Sequence, residues 1–139
     1  MANEAVKTFL LGPNSDGEPV LYTCAAGTTI NKGTLCIFSG ARTVTAHGTT
    51  IGGSFAGIAA ADKDGSDAST TIALWTNGIF EVAASAGITA IGHGDQVILS
   101  SVANFVEASN VITSGMLAKV VGIAEDSTTG GLVTVRVFR

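Results

Sequence analysis

The chain reads as an all-β protein, a small barrel or sandwich built from two similar halves, with an N-terminal arm in front. Three observations predict it. Apolar residues alternate with period two over runs of strand length. Eighteen glycines fall at turn-like spacing among abundant Thr, Val and Ile. A set of short motifs also returns, in the same order, about sixty residues further on.

Residues 1–19 differ from the rest. Phe9-Leu10-Leu11 is followed by Gly12-Pro13-Asn14-Ser15-Asp16-Gly17-Glu18-Pro19, a cluster of turn formers holding both prolines of the chain. Two readings stand: an apolar tip on a tether that extends away from the domain to meet a partner, or a first edge strand followed by a long loop. The β domain spans 20–139 and opens with Val20-Leu21-Tyr22-Thr23-Cys24, a turn at Ala26-Gly27, and Leu35-Cys36-Ile37-Phe38.

The repeat follows. Ile30-x-x-Gly33 through Ile37-Phe38-Ser39 recurs as Ile91-x-x-Gly94 through Ile98-Leu99-Ser100. Phe55-Ala56-Gly57-Ile58-Ala59 recurs as Val121-Gly122-Ile123-Ala124, and Thr71-Ile72-Ala73-Leu74 as Val133-Thr134-Val135. Two copies do not make a solenoid, so residues 25–76 and 86–139 read as halves closing on each other. Ile37 with Ile98, and Ile58 with Ile123, are then expected at equivalent buried positions.

Between the halves lies TTIALWTNGIFEV, Thr70 to Val82. Its alternation on either side of Asn77-Gly78 predicts a β-hairpin, because Asn-Gly readily takes the two positive φ values of a type I′ turn. Helix signals are weak. Ala83–Gly87 and Ser114–Ala118 could form a turn or two, but glycine interrupts both.

At 139 residues the chain can bury one substantial core. Its hydrophobic fraction is 46% while charged residues make up 13%, about half the usual share, so part of the surface is expected against other chains. No apolar run approaches the ~20 residues of a membrane helix, and MANEAVKTFLLG, with an acid near its start and no small-residue cleavage site, does not read as a secretory signal. With seven scattered Lys and Arg and a net charge of −4, no basic stripe for nucleic acid can be assembled. Cys24 and Cys36 sit in apolar surroundings and read as buried free thiols, fitting assembly in a reducing cytoplasm.

Motifs for chemistry are few. His47 and His93 each stand beside glycine, with no HExxH or CxxC, so no metal site is expected. There is no GxSxG elbow, and Cys36 reads as a core thiol rather than a partner of either His. Gly52-Gly53 lacks the Lys-Ser/Thr of a phosphate loop. Asp62, Asp64 and Asp67 in DKDGSD resemble a calcium loop but lack its closing Glu, and read as a solvated acidic tip. Trp75 reads as core or subunit interface rather than a sugar platform. No catalytic residue and no cofactor is expected.

The glycine and apolar pattern from about residue 20 to 139 resembles that of bacteriophage capsid decoration (cement) proteins. The resemblance is carried by Ala25-Ala26-Gly27 through Gly33-Thr34-Leu35-Cys36, by Gly57-Ile58-Ala59 and by Asn77-Gly78-Ile79-Phe80-Glu81-Val82. It continues in Gly92-His93-Gly94-Asp95-Gln96-Val97, Val121–Ala124 and Val133–Val137. It implies a small β-tulip-like protein, typically trimeric, on the outside of an icosahedral head, holding the major capsid protein of the expanded shell against the pressure of packaged DNA. It supplies no catalytic residues. The expected trimer interface includes Trp75, Ile79 and Phe80, and the expected capsid contact is Phe9, Leu10 and Leu11. The rival reading is a β-barrel binding module for a glycan or small molecule, such as a virion or cell-surface adhesin. An enzyme would need Cys36, His47 or His93 to converge with an acid.

Overall fold

The computed structural model describes residues 3–9, 18–48, 53–85, 90–109 and 115–138. Its strands are β1 (Val6–Phe9), β2 (Val20–Thr23), β3 (Leu35–Gly40), β4 (Thr43–Ala46), β5 (Phe55–Ala59), β6 (Thr71–Trp75), β7 (Asn77–Ala84), β8 (Gln96–Leu99), β9 (Phe105–Ser109), β10 (Val120–Ala124) and β11 (Leu132–Phe138). The only helical turn among the described residues is a 3₁₀ turn at Leu117–Lys119. The protein is all-β.

Strands β2 to β6 close a five-stranded barrel. In it β2 pairs antiparallel with β6 and parallel with β4, β3 pairs with β4 and β5, and β5 pairs with β6. Strands β7 to β11 repeat this scheme strand for strand. There β7 pairs antiparallel with β11 and parallel with β9, β8 pairs with β9 and β10, and β10 pairs with β11. Thr76 alone separates the two units, so each begins one strand earlier than residues 25 and 86 suggested.

The equivalence reaches single hydrogen bonds. Gly33 (φ +86°) donates its N–H to Ala59 O at 2.8 Å, and Gly94 (φ +85°) donates to Ala124 O at 2.8 Å. The register of β3 on β5 slips between Cys36 and Ile37, and that of β8 on β10 slips between the residues facing Val120 and Gly122. Such slips bend a strand toward closure. Gly57 and Gly122 occupy matching places after them. A Cβ at Gly57 would press on the carbonyl of Trp75, and one at Gly122 on the carbonyl of Arg136. Glycine lets the backbones approach there.

Alternation fills the barrels. Cys36, Val44, Ala56, Ala59, Ile72 and Leu74 form the interior of the first. Their register equivalents Val97, Val106, Val121, Ala124, Val133 and Val135 fill the second, and belong to a larger cluster that also takes in Leu35, Phe55, Ile58 and Trp75 from the first. The first barrel thus keeps an interior of its own, while its outer wall joins the core of the second.

Three expectations are corrected. Asn77-Gly78 is not a hairpin turn: β6 and β7 belong to different sheets, and Asn77 and Gly78 lie opposite Phe138 and Val137 within β7. Local turn preference loses to a seven-pair ladder with β11 that buries alternate side chains of β7. Nor do residues 3–9 extend away from the domain; they take the other reading, a first edge strand. Strand β1 pairs with β7 alongside β9, and buried Ala5 donates its N–H to Gly33 O at 2.5 Å, strapping one barrel to the other. The unpaired edge of β7 offers backbone hydrogen bonds that a free tether would forgo. Finally, Ile58 and Ile123 match in register but not in burial, since Ile58 is buried and Ile123 exposed. Ile98 is buried and Ile37 partly so.

Candidate functional site

A groove of about 310 Å³ lies at the seam of the barrels, lined by Ala5, Val6, Lys7, Lys32 and Trp75. Strand β1 brings Lys7 over the Trp75 ring and the turn before β3 brings Lys32, each ammonium 5.6 Å from the ring centroid. The negative face of the indole favours such cations. The backbone N–H of Lys32 is held by Asp62 Oδ1 at 2.7 Å, which anchors that turn. Trp75 itself is only 7% exposed. A stacking platform for a sugar needs an open ring face, so the groove presents two cations and apolar walls instead.

The opposite side of Trp75 packs into the core against Phe80, with ring centroids 5.6 Å apart. Phe80 has no exposed surface and Trp75 almost none, so neither can face another chain. Both are removed from the expected trimer interface, because period-two alternation turns them toward the seam rather than outward. Ile79 is half-buried on β7 opposite Arg136. Of the expected capsid contact, Leu10 and Leu11 lie outside the described residues, and Phe9 is described through its backbone alone, opposite Ile79.

The seam also holds the polar side chains nearest to chemistry. His47 is buried, and its Nδ1 accepts the N–H of Asn104 at 3.3 Å, while the Ser100 backbone supplies a second partner. Burial pushes the imidazole below its ordinary range, although the Ser100 bond opposes this. It is therefore a neutral acceptor at physiological pH. Asn104, fully buried with φ +63°, accepts the N–H of Leu35 through Oδ1 at 3.0 Å. His47 and Asn104 together grip the β8–β9 turn against β3.

The thiols are not poised to react. Burial, with a smaller contribution from Cys24, pushes Cys36 up to about 12, and its Sγ donates to Thr34 O at 3.6 Å. Burial likewise raises Cys24, with buried Lys63 pulling the other way. A thiol held protonated is a poor nucleophile. Lys63 spends its ammonium on Ala26 O and Thr28 O, at 2.8 and 2.9 Å.

The acidic run is engaged in turns. Asp64 Oδ1 accepts from the Ser66 N–H and hydroxyl, each at 2.9 Å, and Asp67 Oδ1 accepts the Ser69 N–H at 2.7 Å. Among the described residues no group of three or more His, Cys, Asp or Glu is arranged to hold a metal ion.

What the structure offers most generously is surface. Nine large apolar side chains are exposed among the described residues, including Val20, Leu21 and Phe38 at one end of the first barrel and Leu117, Ile123 and Phe138 on the second. No protein-family model matches the chain, and no curated protein matches it.

Proposed function

We propose that the chain is a structural virion protein: it binds the outer surface of an icosahedral phage capsid as a homotrimer, contacts the major capsid protein, and stabilises the expanded head. The observation that carries this reading is the placement of large apolar side chains on the outside of a tightly packed double barrel whose charged fraction is only 13%. Exposed apolar surface of this kind marks sites of association. The glycine and apolar pattern shared with capsid decoration proteins supplies the class of partner. A trimer on a lattice presents each weak contact three times, so modest single affinities sum to durable attachment. The protein then works in the host cytoplasm during assembly and on the virion exterior afterwards.

The apolar cluster Phe9-Leu10-Leu11 remains the proposed capsid contact, now starting from a fixed point, since β1 anchors its first residue on β7. Deleting residues 2–19 would therefore remove edge strand β1 along with the contact. The cleaner variant is Leu10→Ser with Leu11→Ser. Burying two such side chains is worth roughly 1.5–3 kcal/mol each, so the double variant is expected to fold normally and to co-sediment weakly with empty, expanded heads. Full-length protein that fails to co-sediment with such heads at low salt would overturn the reading.

A further inference from the structure

The two barrels share a backbone plan but not a pattern of exposure, and the mismatch is reciprocal. At the mouth formed around the β8–β9 turn, Phe80 and Leu99 of the second barrel are 0% and 6% exposed. Their register counterparts in the first barrel, Val20 and Phe38, are 37% and 40% exposed. On the side wall the order reverses. Ile58 and Trp75 of the first barrel are buried, whereas their counterparts Ile123 and Arg136 in the second face outward.

One contact explains both differences. The wall of the first barrel covers the mouth of the second, with Trp75 against Phe80 and Asn104 of the β8–β9 turn accepting the Leu35 N–H. Wall meets mouth, not wall with wall, so the contact is heterologous. It consumes one wall and one mouth and leaves one of each free.

We propose that the free wall of the second barrel binds the free mouth of the first barrel in another copy of this chain, repeating between molecules the contact that joins the barrels within one. The occupant is a second copy because the two free faces are duplicated counterparts of two faces that already fit each other. Net charge agrees with this pairing. The free wall carries exposed Glu125 and Asp126 next to Ile123, where the covered wall has Ala60 and Ala61; Glu125 is paired with Arg136 on the same wall, so Asp126 leaves that wall net negative. The free mouth carries exposed Arg42 (φ +49°), whose guanidinium also donates to Leu21 O, at the place that Asn104 (φ +63°) occupies in the covered one. The proposal rests on the homotrimer above and assigns the surfaces that join it: three chains closed head to tail place six barrels in one ring.

The test uses the full chain in solution, without heads. Phe38→Asp alters only the free mouth and Ile123→Asp only the free wall. Both side chains are partly exposed, Phe38 meeting the Tyr22 ring edge to face, and circular dichroism checks that each variant folds. Light scattering is expected to show a trimer for the unaltered chain and monomers for each variant, with association weakened by more than about tenfold. Mixed one to one, the variants are expected to form a heterodimer, since the intact wall of the Phe38→Asp chain still meets the intact mouth of the Ile123→Asp chain. A monomeric unaltered chain, or variants that stay monomeric when mixed, overturns the proposal. A monomer that still decorates heads refutes this interface alone, whereas a trimer of this design that ignores heads refutes the decoration reading alone.

Discussion

Asn104 and His47 carry the polar part of the seam, and each makes a measurable claim. Asn104 tolerates its positive φ because its short side chain suits the left-handed region, and its Oδ1 is the partner of a buried backbone N–H. Asn104→Ala leaves the Leu35 N–H unpaired in the core, at a cost of about 1–3 kcal/mol, and urea unfolding is expected to show that loss. An unchanged midpoint would mean the bond contributes nothing. His47 predicts a pH dependence. Its folded pKa lies below its unfolded value of about 6.5, so below that pH the unfolded chain binds the extra proton. Stability is then complete above about pH 6.5 and falls as the pH drops toward the lower folded value. Protonated Nδ1 also becomes a donor facing the Asn104 N–H. Thermal melts of His47→Gln are expected to lack this acid-side loss, and a variant that keeps it would move the effect to other groups.

Matching elements need not respond alike to the same substitution. Gly33 and Gly94 share a φ near +85° and the same hydrogen bond, so alanine at either should cost about 1–2 kcal/mol of backbone strain. At Gly33 a Cβ would also strike the Ala5 carbonyl of the strap that leads into β1, whereas at Gly94 it would meet open space. Gly33→Ala is therefore expected to destabilise clearly more than Gly94→Ala in parallel denaturation curves. Equal losses would show that the β1 strap gives way at little cost. The same comparison exposes what β1 does: it adds hydrogen bonds to an edge of β7 that β9 leaves unpaired.

Across the whole molecule, the two barrels bury their equivalent walls unequally. Ile58→Ala removes a side chain sealed in the shared core and should cost on the order of 2–5 kcal/mol. Ile123→Ala, in the same register on the second barrel, should stay within about 0.5 kcal/mol in the isolated chain, as exposed substitutions usually do. Calorimetry of both variants checks the asymmetry, and equal costs would contradict it. If the free wall of Ile123 is an interface, the alanine variant should further lose stability with dilution, since association raises apparent stability by mass action.

The sequence by itself determined the class and the duplication. Period-two alternation, β-branched residues and turn-spaced glycines admit only strands, and Ile30-x-x-Gly33 with Ile91-x-x-Gly94 already marks two backbones bending alike. It also pointed to a chain with more apolar surface than one fold of this size needs. Tertiary structure alone decided which strands pair and which faces remain open. Asn77-Gly78 carried a strong local turn signal, yet a turn preference of order 1 kcal/mol cannot outweigh the burial of a whole strand face against β11. Trp75 and Phe80 looked suited to an interface and became core, while Ile58 and Ile123 looked alike and parted, because burial depends on what lies across the seam. Alternation records which side of a strand a residue is on; only the packing of one barrel against the other determines whether that side meets protein or water.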